Sequence, residues 1–295
     1  MLISQKIEKV KLSSGQKAVI DYLYDQGSKI KNQTIKEVAE ASYTSTGTIM
    51  RLIKKLDFQG FNEFKEAFIK ELNYLESHFN HIDPNYPFNQ NDNIQKIASK
   101  ITILAKETLN DTLSLIEHDS LQKAVLLLHK AKNIHLAAIS YSLLLGQIFQ
   151  LDMLRIGVNV NVCHINGEEL FSTAIINQGD CLLVVSYSGS IDNLVQIAKK
   201  AREKQASVIV ITSLGDNRLV DYADVILRVS TREKLYSKIG GFSNEYSIKL
   251  ILDILYSCYY ALDYQKNSNR RINISKEAEI NRQATLEIMK EETES

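Results

Sequence analysis

Hydrophobic positions along the chain follow two patterns, and the change from one to the other marks its organisation. In the first quarter, apolar residues recur at helical spacing. Ala18, Val19, Tyr22 and Leu23 make one face of a helix expected from about Ser14 to Asp25, opened by the Ser-x-x-Gln capping box at Ser13 to Gln16 and ended by Gly27. Thr34 to Glu37 is a second capping box, opening a short helix through Val38 and Ala41. A turn at Ser42, Tyr43 and Thr44 leads to a third helix from about Ser45 to Leu56, with Ile49, Leu52, Ile53 and Leu56 as its buried stripe. Two short helices and a tight turn form a helix-turn-helix.

From Tyr74 to Asn93 the periodicity fails, and both prolines of the chain, Pro84 and Pro87, fall there among asparagines. This reads as a polar linker. Beyond it, Ile94 to Glu117 and Ser120 to Ala131 are expected as amphipathic helices. Continuous apolar runs then alternate with helical patterns: strand at Ile134 to Ile139, helix at Ser142 to Gly157, strand at Val158 to Cys163. A strand-helix-strand unit from Cys181 to Ile211 follows, then a short helix at Asp216 to Asp221, a strand at Val225 to Val229 and a long helix from about Ser243 to Tyr264. Apolar strands alternating with helices imply a parallel sheet covered on both faces.

The unit at Cys181 carries the most specific chemistry. Its strand, Cys181 to Val185, breaks into Ser186, Tyr187, Ser188, Gly189 and Ser190 before helical spacing resumes at Ile191. The first amides of a helix have no intrahelical acceptor and carry the positive end of its dipole, so an anion is favoured there. Gly189 lets backbone approach closely, and the hydroxyls of Ser186, Ser188 and Ser190 add hydrogen bonds to phosphate oxygens. The loop contains no lysine or arginine, which excludes a nucleoside triphosphatase by that motif. The same residues also read as a serine-rich turn in which Ser190 caps the following helix.

Composition narrows the setting. At 295 residues the chain suits two modest domains, and 44% hydrophobic with 24% charged residues is ordinary for a soluble protein. Thirty-five basic residues balance 35 acidic ones, so a nucleic-acid surface must be local. Cys163, Cys181 and Cys258 are far apart, which suits free thiols in a reducing cytoplasm. No apolar stretch reaches the ~18 residues of a membrane span, and no signal peptide is seen. His78 and His81 are spaced for a metal but have no further ligands nearby, so no metal or cofactor is expected.

A local basic face does exist. On the third helix the apolar stripe leaves Ser45, Thr46, Thr48, Arg51, Lys54 and Lys55 on the other side, with no acid in the segment. Small leading hydroxyls suit a major groove, Arg51 suits a base edge or phosphate, and Lys54 and Lys55 suit backbone charge. The alternative is a solvated basic face. Thr34 to Ala41, then Ser45, Thr48, Arg51 and the run Lys54-Lys55-Leu56-Asp57-Phe58-Gln59-Gly60-Phe61-Asn62-Glu63-Phe64-Lys65, resemble the N-terminal domain of the RpiR/MurR family of bacterial transcriptional regulators. Two departures are Asp57 where glycine is usual and Gly47 inside the recognition helix.

The later part, over roughly Ile94 to Leu262, resembles the SIS, or sugar isomerase, domain, a doubly wound phosphosugar-binding fold. The matching residues are Ser186 to Ser190 with Asp192 and Asn193, the Ile-Thr-Ser ending at Ser213, and Ala223-Asp224-Val225. The resemblance implies that Ser186, Ser188, Gly189 and Ser190 hold the phosphate, and that Ser142 holds phosphate or sugar. The family's glycines in the first strand-helix turn appear here as Ala138, Ser140 and Leu143. The expected architecture is therefore α/β with an all-α N-terminal domain: a helix-turn-helix bundle at 1–75, a linker at 76–93, a doubly wound parallel-sheet SIS domain at 94–264 and a helical tail at 265–295.

The resemblance implies a cytoplasmic repressor of sugar or amino-sugar metabolism genes. It would be a homodimer or higher oligomer binding a double-stranded operator, its affinity changed by a bound sugar phosphate. The alternative is a SIS-type sugar-phosphate isomerase, for which Glu168, Glu169 and Glu245 are candidate bases, with His164 near a strand end. The tail pattern at Ile280, Ala284, Leu286 and Ile288 suggests a helix packing on a partner subunit.

Overall fold

A computed structural model describes residues 3, 6, 7, 10–78, 82–163 and 168–279. His81, His164 and the apolar tail positions from Ile280 onward lie outside these. Contacts divide the chain into two units. The first comprises 1–115, 213–217 and 228–247, and the second 116–212, 218–227 and 248–295.

The first unit begins with the expected helices. Both capping boxes form: Ser13 and Gln16 open α1 (Ser14–Gln26), and Thr34 and Glu37 open α2 (Ile35–Ala41). Gly27 stops α1 with φ 54°, a left-handed value that costs glycine little. The third helix, α3 (Thr46–Lys55), is capped by Ser45, whose Oγ accepts from Thr48 N–H at 3.2 Å. Its stripe of Ile49, Leu52, Ile53 and Leu56 is fully buried against Val19, Leu23, Phe64 and Phe68. The last two rings belong to α4 (Phe61–His78) and stack at 5.7 Å. No proline or glycine interrupts this helix between Phe61 and His78.

Later in the same unit, α5 (Ile94–Leu115) buries polar side chains as well as apolar ones. Thr108, Asp111 and Thr112 have no exposed surface. Thr108 donates to Ser243 Oγ at 2.9 Å, Thr112 donates to Ser247 Oγ at 2.7 Å, and Ser230 donates to the Asp111 carboxylate. Buried hydroxyls and carboxylates are tolerated when bonded in this way. The segment between α4 and α5 is tied down similarly: Arg232 reaches Ile82 O at 3.2 Å and Glu107 at 3.1 Å, and Asn85 Oδ1 accepts from Lys234 N–H at 2.7 Å.

The second unit holds a five-stranded sheet in the order β2-β1-β3-β4-β5. Its strands are β1 (Ile134–Ala138), β2 (Val160–Val162), β3 (Cys181–Val185), β4 (Ser207–Thr212) and β5 (Val225–Arg228). Pairing is parallel from β2 through β4, with Ala138 opposite Val185 and Val185 opposite Ile211. All five residues of β1 and of β3 are buried, as expected of apolar runs covered on both faces. The connecting helices are α6 (His118–Lys130), α7 (Tyr141–Leu154) and α8 (Asp192–Glu203); α9 (Phe242–Leu262), whose residues from Ile248 belong to this unit, and α10 (Tyr264–Ala278) follow. Leu194, Val195, Ile197, Ala198 and Ala201 of α8 pack on Leu182, Val184, Val208 and Val210. The helix expected at Asp216 to Asp221 is instead a single 3-10 turn at Val220–Tyr222. Leu219 N–H, just ahead of it, is drawn to Gly189 O at 3.2 Å.

Among the described residues no disulfide forms, and burial, then the nearby Asp224 and Asp180 carboxylates, push the Cys181 thiol up to about 12. Cys181 is therefore expected to react with a thiol reagent only as the protein unfolds, which a reagent titration across a urea series measures. Truncating Leu52 to alanine removes a fully buried side chain and should cost about 2–5 kcal/mol in urea unfolding.

Candidate functional site

Strand order reverses between β1 and β3, so their chain exits diverge, and open parallel sheets bind ligands beyond the carboxyl ends of the strands at such a point. The register sets Ala138 beside Val185, which brings the Ser140 to Ser142 turn next to the Ser186 to Ser190 loop. Each leads into a helix without a side-chain cap: Ser140 precedes α7 and Ile191 precedes α8. The turn reading of Ser190 is thereby corrected. It caps nothing, and its Oγ donates to Ser188 O at 3.2 Å. Two helix starts thus stand side by side, their first amides unclaimed by caps.

The loop holds itself in shape through its serines. Ser186 is buried, its N–H donates to Ile211 O at 3.0 Å, and its Oγ accepts from Gly189 N–H at 3.2 Å. Ser188 Oγ accepts from Ser190 N–H at 3.4 Å, a long bond. Gly189 takes φ 61°, which only glycine adopts without strain. A phosphate oxygen is a charged acceptor and outcompetes a hydroxyl for such amides, while the hydroxyls rotate to donate in turn. Ser140 takes φ 58° in a position where glycine is the usual choice, so the first turn keeps a left-handed step despite its serine. Ser142 is half-exposed in the first turn of α7.

One cation was missed in the sequence. Arg218 pairs with Asp192, the first residue of α8, and neighbouring Leu219 docks on Gly189. The segment 218–219 is far from the serine loop in sequence, and only the sheet brings it there. Of the candidate bases, Glu168 is exposed and Glu169 is buried just ahead of a 3-10 turn. Glu245 lies in the first turn of α9, its carboxyl raised by burial and then by Glu233. A concavity of about 420 Å³ beside β2, bounded by His135, Gln150, Asn161 and Glu168 among others, shares no residue with the serine loop.

In the first unit, α3 presents the expected basic face. Ser45, Thr46, Arg51, Lys54 and Lys55 are exposed and Thr48 is half-exposed. Arg51 Nε donates to Gly47 O at 3.1 Å, which aims the rest of its guanidinium outward. Lys55 Nζ is tethered to Lys11 O at 3.1 Å and Gln16 Oε1 at 3.2 Å, so Lys54 is the freer of the pair. Asp57, where the family has glycine, ends α3 at φ 64°, a conformation that aspartate tolerates better than most residues.

A helix-turn-helix joined to a doubly wound sheet defines a class of ligand-responsive DNA-binding regulators. Comparison with known proteins makes this specific. Residues 1–74 match the helix-turn-helix domain of the rpiR family, and residues 127–255 match the SIS domain. An uncharacterised HTH-type transcriptional regulator of Clostridium perfringens is 25% identical over 249 residues, which is 84% of this chain and 88% of that protein. The solved Vibrio vulnificus NanR protein, complexed with ManNAc-6P, aligns over 94% of this chain and 96% of its own, at 21% identity and a TM-score of 0.58. The sugar isomerase domain of an RpiR transcription factor from Sphaerobacter thermophilus aligns over 61% of this chain and 98% of its own, at 16% identity and a TM-score of 0.54. The chain belongs to the RpiR family of transcriptional regulators, with an N-terminal helix-turn-helix and a SIS domain after it. Among the described residues, no helix is long and apolar enough to cross a membrane.

Substituting Gly189 by alanine forces a Cβ into left-handed backbone at the centre of the loop. The expected cost is about 1–2 kcal/mol in denaturant unfolding.

Proposed function

We propose that this regulator binds its operator through α3 and releases it when a sugar phosphate occupies the crevice at the ends of β1 and β3. The observation that carries the reading is the pair of uncapped helix starts at the reversal of strand order, in a chain that also presents a basic recognition helix. Ser186 and Gly189 shape the phosphate cradle, Ser188 and Ser190 donate to phosphate oxygens, and Ser142 reaches the phosphate or sugar from α7. Arg218 adds a partly neutralised positive charge at the rim. Thr46, Thr48 and Arg51 read the major groove, Lys54 and Lys55 neutralise phosphates, and Ser45 fixes the start of the helix.

The chain is a sensor and not a catalyst on this reading. Among the described residues, the hydroxyls of Ser186, Ser188 and Ser190 bond to backbone amides and carbonyls, not to a carboxylate or imidazole that would move a proton. Domain limits of 1–75, 76–93, 94–264 and 265–295 place the protein's two tasks on separate stretches, and a reducing cytoplasm suits both operator and metabolite. A homodimer places two recognition helices on half-sites of one operator. The exposed apolar face of α7, with Tyr141, Leu144, Ile148 and Leu151, supports such pairing. Ligand then shifts the dimer between two arrangements by its differential affinity for them.

The first ligands to test are N-acetylated amino-sugar phosphates, the class to which the ManNAc-6P of the Vibrio vulnificus complex belongs, and pentose phosphates second. A thermal-shift screen should single out one of them, since a bound ligand raises the melting temperature. Ser188→Ala should weaken that ligand by roughly tenfold in calorimetry, the worth of one hydrogen bond to a charged group, with DNA binding by the free protein retained. Unchanged ligand affinity would remove the serine loop from the site. Arg51→Ala should weaken operator binding at fixed salt and leave the ligand isotherm alone; turnover of a sugar phosphate by the purified chain would instead favour an isomerase.

A further inference from the structure

The turn joining α2 to α3 holds a tyrosine in a backbone conformation suited to glycine. Ser42 caps α2, Tyr43 N–H donates to Glu40 O at 3.1 Å, and Thr44 N–H donates to Ala39 O at 2.8 Å. This pair of bonds is the Schellman stop, and Tyr43 occupies its left-handed position with φ 52°. Ser42 Oγ locks the turn further, bonding Val38 O at 2.7 Å and Thr44 Oγ1 at 3.0 Å. In left-handed backbone Cβ is pressed against the following carbonyl, so a bulky side chain there is an outlier.

Asp57 and Gln205 end α3 and α8 in the same way, at φ 64° and 61°, but with polar side chains at home in water. Tyr43 is different. The residue is 97% exposed, so no burial offsets the strain. An exposed aromatic in strained backbone contributes little to the fold by itself. It stands directly ahead of Ser45 and Thr46, the exposed start of α3. When the leading residues of a recognition helix enter the major groove, the turn before them meets the sugar-phosphate strand bounding that groove. Tyrosine hydroxyls are among the groups that hydrogen-bond phosphate oxygens.

We propose that Tyr43 is a DNA-backbone contact: its phenolic hydroxyl donates to a phosphate oxygen at the edge of the major groove, with its ring along the adjoining sugar, and so fixes how deeply α3 enters. The proposal rests on the reading of α3 as the recognition helix. Because the donor is neutral, it positions the protein without displacing a counterion, unlike Lys54.

The test uses the full-length chain, a duplex that the wild-type chain selects from a random-sequence pool, and an unselected duplex of equal length. Tyr43→Phe keeps the ring and removes the donor. Affinity for both duplexes should fall roughly tenfold, with the slope of log affinity against log salt unchanged. Tyr43→Gly removes strain and side chain together, and should melt at a higher temperature than wild type while binding both duplexes at least as weakly as Tyr43→Phe. A purely structural tyrosine would not give a variant that is more stable and binds less well. A lower melting temperature for Tyr43→Gly, or a loss confined to the selected duplex, overturns the assignment. Wild-type affinity in Tyr43→Phe beside weakened binding in Arg51→Ala overturns it while leaving α3 in place. Failure to select any duplex, or equal affinity in Arg51→Ala, brings down the α3 reading as well.

Discussion

A parallel sheet delivers every one of its strands to the same edge, and each helix that follows must start there with its first amides unpaired. In this chain the two central strands, β1 and β3, lead away in opposite directions along the sheet, so two such starts are set next to one another. Nothing in the side chains has to create that concentration of donors. The sequence has only to leave it open, and it does so by placing Ser140 and Ile191 ahead of α7 and α8 without capping bonds. The serine loop then tunes what the backbone already provides, with Gly189 supplying the left-handed step and Ser186 closing the turn from inside.

The helix-turn-helix follows the opposite logic. Its helices are capped by side chains: Ser13 and Gln16 for α1, Thr34 and Glu37 for α2, Ser45 for α3. Side-chain caps satisfy some of the amides at these starts, and α3 instead presents charged and polar side chains on its exposed face. The apolar stripe of α3 fixes which of them face outward. Arg51 and Lys54 project from the face opposite Ile49, Leu52 and Ile53, and Lys55 lies close enough to α1 to be held by Gln16.

What could be read from the sequence was local. The capping boxes, the stripe of α3 and the buried runs of β1 and β3 each occupy a few consecutive residues, and the structure places them within a residue or two of expectation. The family resemblance added the domain order, which the matches to both domains bear out. Features made by distant segments left no mark. Arg218 reaches Asp192 only because the fold brings that stretch to the start of α8, and in place of the helix expected at Asp216 there is a single 3-10 turn. The buried hydroxyls of Thr108, Thr112, Ser230, Ser243 and Ser247 likewise look like surface residues until their three segments are brought together. The left-handed turn at Tyr43 was hidden for another reason, since glycine is the residue that announces such a turn and tyrosine does not.

The makeup of the serine loop has a consequence for how the protein would behave as its surroundings change. Its donors are amides and hydroxyls, with one arginine already partnered by Asp192, so capture of a metabolite would involve few displaced ions. Grip on a duplex through Arg51, Lys54 and Lys55 would release several and slacken steeply as salt rises. A cell losing water would thus find the regulator loosened from its gene well before it lost its hold on the sugar.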